Sequence, residues 1–213
     1  MTDDENSGER IKRLQSRLMG LSCGILSVGL MESTEVSSLF KPVSIVIAQT
    51  WSGERLSEDQ WVNVQVALGD REGLIVEVDA PLWRGQPPDQ AAGRCWGLWQ
   101  YDVVELFLVG QNGHYLEVEM GPHGHYLGLM LSAPRIIDDD QVPIQYAVTH
   151  HSSRWTGRAR IAPRHLPEEP VRMNAFAIHG RGAQRCFMVA HALPGPQPNF
   201  HQPSVFPQIV ELA

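Results

Sequence analysis

Only three cysteines, Cys23, Cys95 and Cys186, occur in 213 residues, an odd number without a metal-type spacing. A disulfide framework or a cysteine zinc site is therefore excluded as a reading, and reduced thiols in a cytoplasmic protein fit instead. Positive charge is scarce and scattered, with 17 Lys and Arg against 24 Asp and Glu and a formal net charge of -7. Because phosphate binding rests on concentrated basic residues, neither nucleic acid nor an anionic membrane surface is expected as a partner. Long apolar runs are missing as well. The weakly apolar stretch from Leu18 to Met31 is interrupted by Gly20, Ser22, Gly24, Ser27 and Gly29 and is too short to span a bilayer. It also makes a poor secretion signal, since acidic residues precede it and no clean small-residue cleavage site follows. No Gly-x-Ser-x-Gly stretch, phosphate-binding glycine loop or dinucleotide fingerprint is present, so nucleophilic and nucleotide chemistry lack support and no cofactor is expected.

What is present is strand. Residues 1–41, with an acidic start followed by Arg10, Lys12, Arg13 and Arg17, read as a poorly ordered leader. From Pro42 the texture changes. Val43 to Ala48, Trp61 to Ala67 and Leu74 to Asp79 alternate or run apolar over strand length, with Gly53, Gly69, Asp70 and Pro81 as punctuation. After a loop rich in Pro, Gly and Gln from Pro81 to Arg94, further candidates are Ile144 to His150 paired with Trp155 to Ile161, then Met173 to His179 and Cys186 to His191. Pro163 to Pro170 has room for one helical turn. About ten short strands without long helices predict an all-β, antiparallel β-sandwich over residues 42–213.

Its centre falls between Leu98 and Ser132. Two runs rich in β-branched and aromatic residues flank Gly110-Gln-Asn-Gly113, residues that tolerate the positive φ of a hairpin turn. Alternation puts Leu116, Val118 and Met120 on one face and Tyr115, Glu117 and Glu119 on the other. If Val104, Leu106 and Leu108 share the apolar face, then Tyr101, Val103, Glu105 and Phe107 join the glutamates opposite, making a face both aromatic and acidic. Opposed carboxylates repel unless one is protonated, a cation lies between them, or donors such as sugar hydroxyls hold them. The face is either a binding site or a solvated sheet surface.

Other polar groups point to simpler roles. Asp138, Asp139 and Asp140 lack EF-hand spacing and read as a solvated turn. Asp102 opens a strand and reads as a structural acceptor that ties down the loop carrying Trp99. His123, His125, His179, His191 and His201 would make a metal site only if two of them met Glu117 or Glu119.

Two stretches carry a family likeness. Trp99-Gln-Tyr-Asp102-Val-Val-Glu105-Leu-Phe107 resembles the W-x-x-D-x-x-E-x-F pattern of family-nine carbohydrate-binding modules, and Asn199 to Phe206 resembles their closing aromatic-x-x-P-x-x-F segment. The phrases LWQYDVVELFL, YLEVEMGPHGHYL, RWTGRARI, NAFAIHG and PNFH, from about Ala48 to Ile209, are similar to the family typified by the product of human chromosome four open reading frame thirty-three. That family is in turn similar to the DOMON-like, jelly-roll-like sandwich of the carbohydrate modules. The resemblance implies a clamp of two aromatic rings, Trp99 and Phe200, with Glu105 bonding sugar hydroxyls. It departs from the module pattern where Phe200 replaces the usual Trp, where Glu117 stands in place of a sugar-binding Arg, and where His179 takes an amide's position.

The expected function is a small-ligand-binding module, its ligand a carbohydrate or another small molecule, with Trp99, Glu105, Glu117, Glu119, His179 and Phe200 as binding residues and no catalytic residue assigned. Two alternatives stay open. A carboxylate- or metal-assisted hydrolase requires Glu105 with Glu117 or Glu119, and a histidine for the metal, in a closed pocket. An interaction scaffold requires a flat apolar sheet face instead.

Overall fold

The computed structural model describes residues 38–69 and 71–212. Apart from the Ser38 to Lys41 start of the first strand, the expected leader lies outside the described residues. The strands in chain order are β1 (Ser38–Ile47), β2 (Gln49–Thr50), β3 (Val62–Gly69), β4 (Gly73–Pro81), β5 (Gly93–Arg94), β6 (Val103–Gly110) and β7 (Tyr115–Met120). They continue as β8 (His125–Ala133), β9 (Ile136–Asp139), β10 (Gln145–His150), β11 (Arg154–Ile161), β12 (Pro170–His179) and β13 (Cys186–Val189). The three beyond the expected ten are β2, β5 and β9, which are too short to show alternation in sequence. Helical structure among the described residues is limited to single 3-10 turns such as Leu98–Gln100 and Pro163–His165.

Two sheets face each other as a β-sandwich. The first has the order β1-β3-β4-β11-β10; the second runs β2-β13-β12-β6-β7-β8-β5, with β9 added alongside β8. All pairings are antiparallel except the two-residue contact of β5 with β8. The β10–β11 hairpin expected from the sequence forms, with Gln145 opposite Arg160 and His150 opposite Trp155.

The central hairpin pairs in the expected register. Val104, Leu106 and Leu108 lie opposite Met120, Val118 and Leu116, and Glu105 and Phe107 lie opposite Glu119 and Glu117. Gly113 closes the turn at φ +83°, a conformation open to glycine at no steric cost. The apolar set from both strands meets Val64, Val66, Val76 and Trp155 of the opposing sheet in a fully buried aliphatic core. Alternation at period two is what aims these residues inward, and their burial supplies the main drive for closing the sandwich.

Where the structure adds to the sequence is on the second sheet's other face. It is neither open nor solvated. The loop between β4 and β6 and the chain from Leu193 to Phe206 fold over it, forming a second core from Cys95, Leu98, Val103, Phe107, Tyr115, Leu127, Leu129, Leu131, Phe176, Ile178, Phe200 and Phe206. Every residue of β6 and β7 is buried in consequence, the three glutamates included.

Candidate functional site

The outer face of β12-β6-β7-β8 carries two rows of side chains across the strands. One runs Leu127, Glu119, Glu105, Phe176; the next runs Leu129, Glu117, Phe107, Asn174. Glu105 and Glu119 are therefore directly opposite, and Glu117 is diagonal to Glu105. Their exposures are 2 %, 0 % and 3 % for Glu105, Glu119 and Glu117. Like charges so placed destabilise a sheet, and burial disfavours the charged form further.

Each carboxyl group is shifted toward its protonated form. Burial, joined by the Glu117 charge and opposed by Arg185, pushes Glu105 well above the ordinary carboxylate range. Glu119 is raised by burial and then by Glu105, Glu117 and Cys95, against a backbone contact from Trp99. Burial raises Glu117 to about 8, with an opposing contact from Glu119. As carboxylates, Glu105 Oε1, Glu117 Oε2 and both oxygens of Glu119 would have no hydrogen-bond donor.

Above this acidic floor lies a cavity of about 460 Å³ lined by Trp96, Trp99, Glu105, Glu117, Leu129, Leu131, Arg135, Ile137, Ile178, Phe187, Pro198, Asn199, Phe200 and His201. Trp96, 53 % exposed, stands at the mouth with its ring edge on to Trp99 at 5.2 Å. On the C-terminal side Phe200 stacks on Phe176 at 4.1 Å and 11°, so one face of its ring belongs to the core. The surface between Trp99, Glu105, Glu117 and Phe200 is concave rather than flat.

The loops that build this cavity are tied to the sheet by polar groups. Trp99 sits in the 3-10 turn Leu98–Gln100, entered by Gly97 at φ +79°. Arg185 donates from Nη2 to the Trp99 carbonyl and from Nη1 to that of Gln100 at 3.2 Å, so a guanidinium caps the turn's carbonyl end. Asp102 accepts from the Gly85 N–H at 2.8 Å on Oδ2 and from Gly180 N–H at 3.2 Å on Oδ1. It thus anchors chain segments far from it in sequence, beyond the local bonds expected. Gly85 has to be glycine for this approach, since a Cβ there would stand 2.4 Å from Asp102 Oδ2. Trp51 donates from Nε1 to the Gly195 carbonyl at 3.1 Å, and Gln202 bonds the carbonyls of Pro194 and Asn199, fixing the C-terminal wall.

A polar strip completes the rim. Tyr115 Oη lies 2.8 Å from His201 Nδ1 and accepts from the Arg135 N–H at 3.3 Å, while Arg135 Nη2 donates to Asn199 Oδ1 at 3.0 Å. Burial raises Tyr115 to about 12 and lowers His201 to about 4, the nearby Arg135 charge adding to the latter. Arg135 holds φ +64°, a left-handed conformation that costs a non-glycine residue about 1 to 2 kcal/mol. Such strain persists where its surroundings over-determine it, and here both its backbone and its side chain are engaged.

Of the residues singled out from sequence, the structure brings together Trp99, Glu105, Glu117 and Phe200 in one cavity. Glu119 lies buried beside Glu105 without lining it. His179 is elsewhere: half-buried, it stacks on Trp83 at 4.7 Å and 12°. Trp96, Arg135, Phe187, Asn199 and His201 were not assigned a binding role from sequence. For Asn199 and His201 their place in the closing segment beside Phe200 was a usable signal; for Arg135, in the tight β8–β9 turn, none was. Among the described residues no group of three or more His, Cys, Asp or Glu is placed to hold a metal ion. His125 instead bonds the Gln90 carbonyl, and Asn174 holds the backbone of His191. Asp140 pairs with Arg94 at 3.0 Å, and Asp138 accepts from Ser132 at 2.8 Å.

No protein-family model matches the chain. It is 32 % identical over 164 residues to the human UPF0462 protein C4orf33, covering 73 % of this chain and 81 % of the human protein. The chain belongs to the UPF0462 C4orf33 family. Its homolog from Danio rerio is also 32 % identical, over 169 residues, with 75 % of this chain and 85 % of that protein covered. The likeness read from the phrases around Trp99, Tyr115 and Asn174 is therefore a family relationship. Among solved structures, a proposed carbohydrate-binding protein from Bacteroides uniformis shares the fold with TM-score 0.58 at 13 % identity, over 79 % of this chain and 84 % of that one. At that identity the match speaks for the fold of this UPF0462 protein alone. No helix among its described residues is long and apolar enough to cross a membrane.

Proposed function

We propose that this UPF0462 protein is a small-ligand-binding module whose ligand is a carbohydrate or a molecule of similar size and polarity. The observation that carries the reading is the cavity of about 460 Å³, walled by Trp96, Trp99, Phe187 and Phe200 and floored by Glu105 and Glu117, each of which keeps a buried, partnerless carboxyl oxygen. Pyranose C–H faces pack on aromatic rings, and hydroxyls both donate to and accept from carboxyl groups, so the two halves of the cavity suit the two halves of a sugar. The solved structure of the proposed carbohydrate-binding protein from Bacteroides uniformis lends the reading support by fold. In this reading Glu119 acts through Glu105, and His179 acts through the Trp83 loop. Each aromatic contact contributes about 0.5 to 1.5 kcal/mol and each charged hydrogen bond about 1.5 to 3, less the cost of immobilising the ligand. Affinity in the micromolar to millimolar range follows.

Calorimetric titration with a panel of mono- and disaccharides tests it. Trp99→Ala and Glu105→Gln should each weaken binding at least tenfold while the variants stay folded. Wild-type affinity in both variants would remove the clamp. A second reading, a carboxylate-assisted glycosidase, is favoured by one observation: Glu117, pushed up to about 8, has the protonation a general acid needs near neutral pH. Turnover of aryl glycosides that disappears in Glu117→Gln would support it; no turnover across the panel would exclude it.

A further inference from the structure

The acidic floor holds more carboxyl groups than a neutral ligand needs, and none of them has a cation. Among the described residues the ion pairs are Arg94 with Asp140, Arg154 with Asp79 and Arg158 with Glu77. The two guanidinium groups nearest the floor are engaged elsewhere, Arg185 by the Trp99 and Gln100 carbonyls and Arg135 by Asn199. Glu105 and Glu117 are part of the cavity's lining, and Glu105 Oε1 and Glu117 Oε2 are buried and partnerless. A hydroxyl ligand would satisfy one such oxygen but would not offset the charge of either acid once ionised. A positively charged group would stabilise the ionised form, and a primary ammonium would also donate its N–H groups to the carboxylate oxygens. The aromatic walls favour the same group, since the faces of indole and phenyl rings attract cations, most strongly away from water.

We propose that the cavity's ligand carries an organic cation, a primary or quaternary ammonium, which enters between the aromatic rings and rests against Glu105 and Glu117, one of the two ionised and the other still protonated. This deepens the ligand-site reading above and rests on it. Among sugars the class is an amino sugar; among other small molecules it is an alkylammonium compound.

The proton balance sets the signature of such binding. In the free protein the floor is biased toward its protonated form: burial raises all three glutamates, with Arg185 facing Glu105 from ahead of β13 and Cys95 facing Glu119 from the covering loop. Arg135 and His201 face the rim beside Tyr115, and His201 is neutral above about 4. A carboxylic O–H releases its proton to solvent, and the carboxylate left behind pairs with the ammonium; no other bond changes. One proton leaves per cation bound. Affinity therefore rises about tenfold per pH unit while the carboxyl is protonated in the free protein.

Thermal shift and calorimetry on the full chain with choline, glucosamine, N-acetylglucosamine and glucose, from about pH 6 to about pH 8, test the inference. Choline keeps its charge throughout, so its pH dependence reports the protein alone. Choline, and glucosamine near pH 6 where it is charged, should bind at least tenfold more tightly than the neutral sugars, and choline should bind more tightly at higher pH, with proton release seen by comparing two buffers. Glu117→Gln should lose the preference for the cation while keeping the wild-type circular dichroism spectrum. Should that variant not fold, buffer-dependent proton release by the wild type decides alone. Choline binding without any sugar binding would sustain the cation and overturn the carbohydrate reading. Neutral sugars that bind as tightly as glucosamine, independently of pH, would overturn the cation and leave the carbohydrate reading intact. No response to any of the four would overturn both.

Discussion

The two faces of strand β7 differ more than the strand's neighbours would suggest. Leu116, Val118 and Met120 point into the space between the sheets, among side chains that are almost all aliphatic and none of them charged. Tyr115, Glu117 and Glu119 point the other way into a layer that is equally buried but holds rings, acids and an imidazole. The first face is built for stability, since close-packed apolar groups are satisfied by burial itself. The second keeps buried polar atoms without partners, a state that subtracts from stability and is tolerated where something else is gained. The contrast teaches that a sheet covered on both sides need not have two equivalent cores.

Breaking the inner face should have the largest effect. Leu106→Ala removes a fully buried side chain between the sheets and should cost about 2 to 5 kcal/mol in urea unfolding, with ligand affinity of the folded fraction unchanged. A loss below about 1 kcal/mol would mean the inner face is not the main core. Next comes the tie between the outer layer and its loops. Asp102→Ala removes the acceptor for the Gly85 and Gly180 N–H groups and should cost about 1.5 to 3 kcal/mol while weakening binding through the displaced Trp99 turn.

The acidic layer makes a prediction of its own with pH. Glu117 at about 8 when folded, against an ordinary value of 4.5, binds a proton that the unfolded chain has released, so stability falls as pH rises between those values. The slope is about 1.4 kcal/mol per pH unit for each such group. His201, lowered to about 4 from 6.5, works in the opposite sense below 6.5, as do the lowered His123, His179 and His191. The fall is therefore clearest from about pH 6.5 to about pH 8, and urea midpoints of wild type and Glu117→Gln across that window should converge at the acid end and separate at the alkaline end. Parallel curves would show that the glutamates are ionised when folded. The smallest change is expected at the mouth of the cavity: Trp96→Ala, at a half-exposed position, should alter stability by less than about 0.5 kcal/mol yet reduce affinity measurably. An equal affinity would move the ligand away from that rim.

Much of this could be read in the residues themselves. The β6–β7 register followed from alternation alone, because a slip of one residue would have turned Leu106 and Val118 outward and Glu105 and Glu117 into the sheet interface. Trp99, Glu105 and Phe200 were legible as partners through the family likeness. The fate of the acidic face was not, since nothing within β6 or β7 records whether distant chain will fold over it.

Local chemistry determined the strands, the turn at Gly113, the inner core and the presence of three glutamates on one face, because side-chain direction in a strand depends only on position modulo two. Tertiary structure alone decided that those glutamates would be buried, unpaired and proton-holding. That outcome rests on contacts between residues remote in sequence: Tyr115 with His201, Arg135 with Asn199, Trp51 with Gly195, and Asp102 with Gly85 and Gly180. The same long-range packing carried His179 to Trp83 and placed Arg135 at the rim. A carboxyl group's charge depends on the solvent and ions around it, and those are set by whichever segments close over the sheet rather than by its neighbours in the chain.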